Sequence, residues 1–261
     1  MVASLIMGAP PLFSVITIVK NDRAGLQATL DSVRAQRFTD FEHVIVDGAS
    51  TDGSADVARR SASTHVSVVS EPDSGISEAF NKGIARARGA WLNFLNAGDV
   101  FLHADVLARV AARAAGPAAI VTGYSVTRGV QAPPYPVRNG DRLARRACLS
   151  HQASFIHRRV FEACGTFDTR FQVRMDYEFW LRALPRFSFD FIDEPLVVFA
   201  PGGVSTRARS AFFAEEFAAN RLHLRLPGLA NLRVRVRERA HQGLRTLGLF
   251  ERYRALRLPV R

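Results

Sequence analysis

The chain has 261 residues, of which 48% are hydrophobic, 23% charged and 10% aromatic, with 18 Gly and 12 Pro. These values exclude collagen-like, low-complexity and wholly disordered proteins, and the length predicts one large domain or one domain with an appendage. The net charge is +11, and 11 Arg against 2 acidic residues from Arg221 onward supply +9 of it, so the basic character belongs to the C-terminal end.

Strands and helices are predicted to alternate through the first hundred residues. The predicted strands, rich in β-branched and aromatic residues, are 13–19, 42–47, 65–70 and 90–95. The apolar faces of the first and third intervening helices are formed by Leu26, Leu30 and Val33, and by Ile76, Phe80, Ile84 and Ala87. Asn21 and Asp22 are available to cap the first helix, and Gly89 is expected to end the third as its C′ residue. Because parallel neighbours need crossover connections, the alternation predicts a mostly parallel sheet.

The middle of the chain is less regular. The predicted elements there are a strand at 118–126, a short helix at 139–147, a strand from His151 and helices at 158–164 and 175–184. The last of these helices is expected to pack inward through Tyr177, Trp180, Leu181 and Leu184, which lie at helical spacing. Asp176 lies at its N-terminus, where a carboxylate is favoured by the helix dipole.

Polar loops follow each of the four predicted strands. They are Lys20–Asp22, Asp47–Asp52, Ser70–Gly75 and Asn96–Asp99, and each contains a carboxylate. Ligands of open α/β sheets bind beyond the carboxyl ends of the strands, and clustered carboxylates repel one another unless a cation or polar ligand lies between them. Asp and Gly are also ordinary turn residues, which is the better interpretation of any single loop. The four loops together are consistent with a nucleotide-type ligand held by a divalent metal.

Six segments carry a more specific pattern. They are SVITIVKND (14–22), VDGASTDGS (46–54), SEPDSGISEAFNKGIARARG (70–89), FLNAGD (94–99), HQASFIHRRVFEACGTFD (151–168) and MDYEFWLR (175–182). In this order they resemble the family-2 inverting glycosyltransferases, and the third segment resembles a subgroup that builds bacterial surface polysaccharides. The resemblance runs from about Phe13 to Ser205. It implies an α/β fold of GT-A, Rossmann-like type, with a mostly parallel sheet flanked by helices that binds a nucleotide-sugar.

The resemblance also implies roles for the matching residues. Asp47 would bind the nucleotide base, Asp73 the ribose or sugar hydroxyls, and Asp99, the last carboxylate of a DxD-type motif, a Mg²⁺ or Mn²⁺ ion. Asp176 corresponds to the general base, a role worth about a hundred- to ten-thousand-fold in rate. The other substrate- or nucleotide-binding residues implied by the motifs are Val19, Asn21, Gly75, Asn81, Lys82, Asn96, His151 and Gln152.

Several of these residues have structural alternatives. Asp176 is as typical of a helix cap as of a general base, and His151 is as typical of a buried, hydrogen-bonded histidine as of a ligand-binding one. The spacing of Trp180 favours core packing over stacking on a sugar. Lys82 either touches phosphate or faces solvent. The acidic motif retains one carboxylate where two or three are common, so the metal would be held with Asn96, water and the diphosphate.

Two further departures from the family pattern concern the acceptor half. Met175 replaces a frequent Glu beside Asp176, which removes a neighbouring negative charge. Pro201-Gly202-Gly203 stands where some relatives carry a metal-binding His, so no His ligand is assigned there.

The C-terminal end combines basic and apolar residues. A helix is predicted at 212–226, and Pro227-Gly228 then breaks the chain. The period-2 pattern of LRVRVR (232–237) does not suit a single helical face, whereas 238–258 has near-helical spacing. The segment is typical either of a helix on an anionic membrane near a lipid-linked acceptor or of a solvated or partner-docked tail. Nucleic-acid binding is the rival interpretation, and no recognised motif supports it.

Location is expected to be cytoplasmic, including a peripheral position at the inner face of the plasma membrane. Cys148 and Cys164 make no disulfide framework, the N-terminus is a poor signal peptide, and no uncharged apolar run reaches 18 residues.

The sequence therefore predicts a GT-A domain at 1–211, with a donor half at 13–100 and an acceptor half at 101–211, and a basic helical extension at 212–261. The expected activity is inverting, metal-dependent transfer of a sugar from a nucleoside-diphosphate sugar to a saccharide acceptor, lipid-linked, in bacterial polysaccharide biosynthesis. A non-catalytic nucleotide-sugar-binding protein is the alternative, favoured by the thinned acidic motif.

Overall fold

A computed structural model describes residues 9–127, 149–200, 209–225 and 227–246. The strands in these residues are β1 (Phe13–Val19), β2 (Phe41–Asp47), β3 (Val66–Ser70), β4 (Trp91–Asn96), β5 (Val100–Phe101), β6 (Ile120–Thr127), β7 (Ser154–His157) and β8 (Phe189–Phe199). The helices are α1 (Arg23–Arg34), α2 (Ser54–Ser61), α3 (Ile76–Arg86), α4 (Val106–Ala114), α5 (Arg158–Cys164), α6 (Met175–Ala183), α7 (Arg209–His223) and α8 (Pro227–Thr246).

One mixed sheet runs through the described residues in the order β3-β2-β1-β4-β7-β6-β8-β5. The first four strands in that order are parallel, whereas β7 pairs antiparallel with both β4 and β6. The predicted parallel arrangement of the first four strands is thereby confirmed. Strand β8 is parallel to β6 with a register shift around Tyr124, and the two-residue β5 closes the sheet edge.

The sheet has apolar layers on both faces, which is why β1 is buried along its whole length. Alternate residues of β1 point to opposite layers: Ile16 packs with Phe80 of α3, and Val15 packs in the layer that contains Leu107 of α4. Trp180 of α6 is 1% exposed and belongs to the first layer, which confirms the predicted core packing of this side chain.

Gly89 differs from its predicted role. Helix α3 ends at Arg86, and its C-cap residue Ala87 is extended. Gly89 does not have the positive φ that a C′ glycine adopts. A Cβ at Gly89 would lie 2.5 Å from the Ser14 nitrogen, so the glycine is required because the backbone of β1 passes against it. The prediction of a C′ glycine was wrong for that reason.

The C-terminal helices pack on α6. The Tyr177 hydroxyl of α6 donates to Asn220 of α7 at 2.7 Å, and Asn220 donates to Asn231 of α8 at 3.0 Å. Helix α8 runs through the LRVRVR segment, whose period-2 pattern does not suit a single helical face. Val234 is buried and Asn231 bonds α7, so packing of one helical face outweighs that pattern.

Three predicted features lie partly or wholly outside the described residues. The short helix at 139–147 and Pro201-Gly202-Gly203 fall outside them, and the segment 238–258 is described only to Thr246. Within the described residues, no helix combines the length and apolarity needed to cross a membrane.

Candidate active site

The carboxyl ends of β1 to β4 meet at one edge of the sheet. Val19 pairs with Asp47 and Asp47 pairs with Ser70, while Asn96 pairs with Ile18 on the other side of β1. The four polar loops therefore start side by side, as the sequence predicted. Each loop can contribute side chains to one site beyond this edge.

Asp47 ties the loops after β2 and β3 together. Its side chain is fully buried, and its Oδ2 accepts hydrogen bonds from the Ser70 hydroxyl at 2.6 Å and the Ser50 amide at 3.2 Å. Ser50 in turn accepts from the Asn21 amide at 2.8 Å, and Asn21 adopts a φ of 53°. A non-glycine residue in this left-handed region is uncommon, and its fixed turn holds the β1 and β2 loops in contact.

Asp73 lies directly over the β2 loop. The space above Gly48 is filled by its carboxylate, since a Cβ at Gly48 would be 2.3 Å from Asp73 Oδ2. The other carboxylate oxygen accepts from the Gly75 amide at 3.0 Å. Gly75 has a φ of 138°, and a Cβ there would meet the Gln172 side chain at 1.9 Å. Gly48 and Gly75 thus permit close approaches that join the loops after β2 and β3 to the loop before α6.

Asp99 is a buried carboxylate at the end of β4. It is 1% exposed, and its oxygens accept from the Ala200 amide at 2.9 Å and the Asn96 side-chain amide at 3.1 Å. Burial raises the pKa of Asp99 to about 6, although these hydrogen bonds and one from the Gln152 side chain oppose the rise. Desolvation outweighs the hydrogen bonds, so a cation at this position would stabilise the ionised form.

His151 lies in an aromatic pocket beside Phe94 of β4. Its ring stacks on Phe94 with centroids 5.1 Å apart and meets the edge of Phe80 at 5.3 Å. Both ring nitrogens are buried and make no hydrogen bond to any residue that the structure describes. Burial lowers the pKa of His151 to about 4, and the charge of Asp176 acts in the opposite direction. Asp176 is therefore close enough to His151 to act on its charge, and the next residue, Gln152, bonds Asp99.

Asp176 lies in the first turn of α6, at the second helical position and not at the N-cap, which is Arg174. Its Oδ1 accepts from the Tyr177 amide at 2.7 Å and lies 4.0 Å from Arg174 Nη1. The Asp176 side chain is 27% exposed, so it is accessible to a substrate while held by the helix terminus. This position is compatible with a general base.

Arg174 is fixed between two aromatic rings. Its guanidinium carbon lies 4.5 Å from the Tyr177 ring centroid and 4.4 Å from that of Phe212. Its Nη2 lies 3.7 Å from Glu216, so Arg174 is shared between an α7 carboxylate and Asp176. Asp176 therefore has a positively charged neighbour in Arg174, while Met175 beside it carries no charge.

Glu215 of α7 caps the start of α6 from outside. Its carboxylate accepts from the backbone amides of Gln172 at 3.1 Å, Val173 at 2.8 Å and Arg174 at 2.7 Å. Free amides at a helix N-terminus are normally satisfied by a local cap, and here a distant residue does so. Glu215 and Arg174 were not among the predicted residues, and the only sequence signal is an acidic pair at 215–216 just before a basic region.

Asn81 and Lys82 bind protein groups in this structure. The Asn81 amide donates to the Phe167 carbonyl at 2.8 Å and accepts from the Phe167 amide at 2.9 Å. Lys82 Nζ lies 3.2 Å from both Glu71 and Glu78. These contacts hold α3 against its surroundings, and substrate binding by the two residues stays a prediction.

The residues around Asp99 suit a divalent cation. Among the described residues, no group of three or more His, Cys, Asp or Glu side chains converges to form an all-protein metal cage. Mg²⁺ and similar hard cations are commonly held by one or two carboxylates together with substrate phosphates. Asp99 and the amide oxygen of Asn96 are hard donors, and no described residue supplies a cation that lowers the pKa of the buried carboxylate, so they fit a cation shared with a diphosphate.

Comparison with known proteins identifies the class of protein. The family described as Glycosyl transferase family 2 matches residues 14–212, and the chain belongs to this family. It is 37% identical over 179 residues to the PGL/p-HBAD biosynthesis glycosyltransferase of Mycobacterium bovis, an alignment that covers 67% of this chain and 70% of that protein.

Solved structures show the same GT-A fold. Staphylococcus aureus TarS 1-349 in complex with UDP-GlcNAc superposes with a TM-score of 0.67 at 17% identity, covering 80% of this chain. The chain spans 65% of the length of that TarS chain. Mannosyltransferase PcManGT of Pyrobaculum calidifontis, in complex with GDP-Man and Mn²⁺, gives 0.66 at 22% identity, covering 87% of this chain and 69% of that one.

Proposed function

We propose that the chain is an inverting glycosyltransferase that moves a sugar from a nucleoside-diphosphate sugar to a saccharide acceptor. The observation that carries the proposal is the series of contacts linking the β1–β4 edge to α6. Asp73 packs over Gly48 and accepts a hydrogen bond from the Gly75 amide. Gly75 in turn contacts Gln172, and α6 begins three residues after Gln172. A base on α6 would then face a donor held at the strand ends.

The donor would be bound by the loops at the sheet edge. TarS and PcManGT are described with UDP-GlcNAc and GDP-Man, which supports a nucleoside-diphosphate sugar as the donor class. Asp47 already accepts two protein hydrogen bonds, but an ionised carboxylate has about four acceptor positions, so it retains capacity for a base N–H. Asp73 would bind ribose or sugar hydroxyls, with the other predicted binding residues around them.

Proton transfer would be carried out by Asp176. The Asp176 carboxylate accepts the proton of the acceptor hydroxyl while the hydroxyl oxygen attacks the anomeric carbon of the donor sugar. The bond from that carbon to the diphosphate breaks at the same time. Attack from the face opposite the leaving group inverts the anomeric configuration. Arg174 and the Tyr177 amide orient the Asp176 carboxylate before transfer.

Asp99 and Asn96 would hold a Mg²⁺ or Mn²⁺ ion. Bound there, the ion would supply positive charge that stabilises the departing nucleoside diphosphate. The raised pKa of Asp99 supports this assignment, because a buried carboxylate without a neighbouring cation is energetically unfavourable at neutral pH.

The proposed setting is bacterial envelope polysaccharide assembly on a lipid-linked acceptor. The relative named for PGL/p-HBAD biosynthesis supports a glycoconjugate product. The net charge of +9 from Arg221 onward supports a cytoplasmic enzyme positioned at the inner face of the plasma membrane.

The test is a transfer assay with the full chain, a panel of UDP-, GDP- and dTDP-sugars, and saccharide acceptors with and without a lipid anchor. We expect Mn²⁺- or Mg²⁺-dependent transfer, with NMR of the product showing the opposite anomeric configuration from the donor. Retention of configuration would refute the inverting mechanism. Tight donor binding by calorimetry without transfer to any acceptor would instead support a non-catalytic nucleotide-sugar-binding protein.

A further inference from the structure

Helix α8 carries an exposed apolar surface on the side opposite its docking face. Leu229, Leu232 and Val236 are 62%, 58% and 61% exposed. At about 100° per residue they fall within roughly 60° of arc, so they form one stripe along the helix. Asn231 and Val234, which contact α7 or are buried, lie on the other side. In the described residues, the large apolar side chains that are exposed belong to α7 and α8 alone.

Arginines border this stripe. Arg233 follows it on one side and Arg239 on the other, and both are exposed. Arg235 lies further round the helix, where its guanidinium carbon is 5.8 Å from the Phe217 ring of α7. An apolar stripe between cationic margins, on a helix already anchored by its opposite face, is the arrangement of helices that lie in a bilayer interface.

We propose that the stripe Leu229, Leu232 and Val236, with Arg233 and Arg239, is the surface by which this chain binds an anionic lipid bilayer. The inference deepens the proposed membrane setting by assigning it to particular residues. The net +9 from Arg221 onward is complementary to anionic headgroups. A second copy of the chain is disfavoured as occupant, because an isologous contact would bring the same arginines against one another.

Contacts through α7 connect the proposed membrane-binding helix α8 to α6, which carries the proposed base Asp176. Helix α8 contacts α7 through Asn231 and Asn220, and α7 contacts α6 through Asn220 and Glu215. A membrane at the α8 stripe is therefore separated from α6 only by packed helices. This arrangement suits an acceptor whose lipid end stays in the bilayer while its sugar end approaches α6.

The test measures co-sedimentation of the full chain with vesicles of phosphatidylcholine containing 30% phosphatidylglycerol, compared with pure phosphatidylcholine. We expect binding to the anionic vesicles that weakens with salt. The variant Leu229→Ser, Leu232→Ser, Val236→Ser is expected to lose at least about tenfold in partition coefficient. Arg233→Ser with Arg239→Ser is expected to lose about twenty-five-fold, at roughly fivefold per arginine.

The control variant Arg59→Ser with Arg60→Ser removes equal charge from the exposed side of α2 and is expected to bind vesicles like the wild type. Hydrogen exchange of the wild type, with and without anionic vesicles, supplies a readout that needs no variant, and protection of 229–239 is expected. Wild-type vesicle binding by the apolar variant, equal binding to neutral vesicles, or a dimer that depends on the stripe would overturn the proposal. Vesicle binding requires no transfer activity, so this result and that of the transfer assay are independent.

Discussion

Asp99→Asn is expected to stabilise the metal-free protein at neutral pH while removing metal-dependent function. Burial raises the pKa of Asp99 from its usual value of 3.8 to about 6. Between these pH values the folded chain keeps the proton and the unfolded chain releases it. The free energy of unfolding therefore falls as pH rises through this window, which is the opposite of the usual carboxylate behaviour.

The size of the effect follows from the pKa shift. A difference of about two pKa units corresponds to about 3 kcal/mol, so ionised Asp99 lowers the stability at pH 7.5 by that order. An asparagine removes this penalty and still accepts the hydrogen bond from the Ala200 amide, while its side-chain nitrogen cannot accept the one from Asn96, so the full value is an upper limit. We expect Asp99→Asn to exceed the wild type by up to about 3 kcal/mol at pH 7.5 and to equal it near pH 4.

Urea unfolding in EDTA at the two pH values measures the difference. Adding Mn²⁺ at a hundred times its dissociation constant should stabilise the wild type by about 2.7 kcal/mol and leave the variant unchanged. The matched control is Asp52→Asn, because hydrogen bonds from Ser54 and Arg23 lower the pKa of that exposed carboxylate, so its loss should destabilise at pH 7.5. If Asp99→Asn were less stable than the wild type at pH 7.5, or the difference were equal at both pH values, the reasoning would be refuted.

Three further predictions concern the surroundings of the site. Glu215→Ala leaves three backbone amides without their acceptor and is expected to lower stability by about 2 kcal/mol in urea unfolding, with a smaller loss for Glu215→Gln. Burial lowers the pKa of His43 from 6.5 to about 3, so the free energy of unfolding should fall as pH decreases below 6.5. His43→Gln keeps a partner for Thr17 and should flatten this dependence in a pH series of unfolding measurements. An unchanged slope would contradict the burial argument. Gly48→Ala must displace Asp73 and is expected to weaken donor binding about tenfold in calorimetry, and unaltered affinity would remove Asp73 from the donor site.

The donor half was readable from sequence because its signals are local. The strands from Phe13 to Asn96 are rich in β-branched and aromatic residues, and each ends at a polar loop within a few residues of the predicted boundary. Parallel topology then brings those loops together without further information. Gly89 shows the limit of such reasoning, since its requirement comes from the β1 backbone, more than seventy residues away in the chain.

Long-range contacts explain what was not predicted around Asp176. Glu215 and Arg174 act across about forty residues, and nothing in the local pattern of either segment indicates that they meet. Strand β8 was also missed, because Asp193, Glu194 and Pro195 interrupt its apolar character while its pairing with β6 shifts register. Helix α8 formed in a period-2 segment since Val234 and Asn231 dock on α7.

The central claim is that Asp176 removes a proton from an acceptor while the strand-end loops hold the donor. The most direct measurement compares transfer rate and donor affinity in Asp176→Asn, which keeps the hydrogen bond from the Tyr177 amide, with those in Asp56→Asn, an exposed carboxylate on α2 that pairs with Arg59. The account predicts a hundred- to ten-thousand-fold loss of transfer in Asp176→Asn, about the range for a general base, with donor affinity unchanged and Asp56→Asn normal. Wild-type transfer by Asp176→Asn, or loss of donor binding equal to the loss of rate, would contradict it.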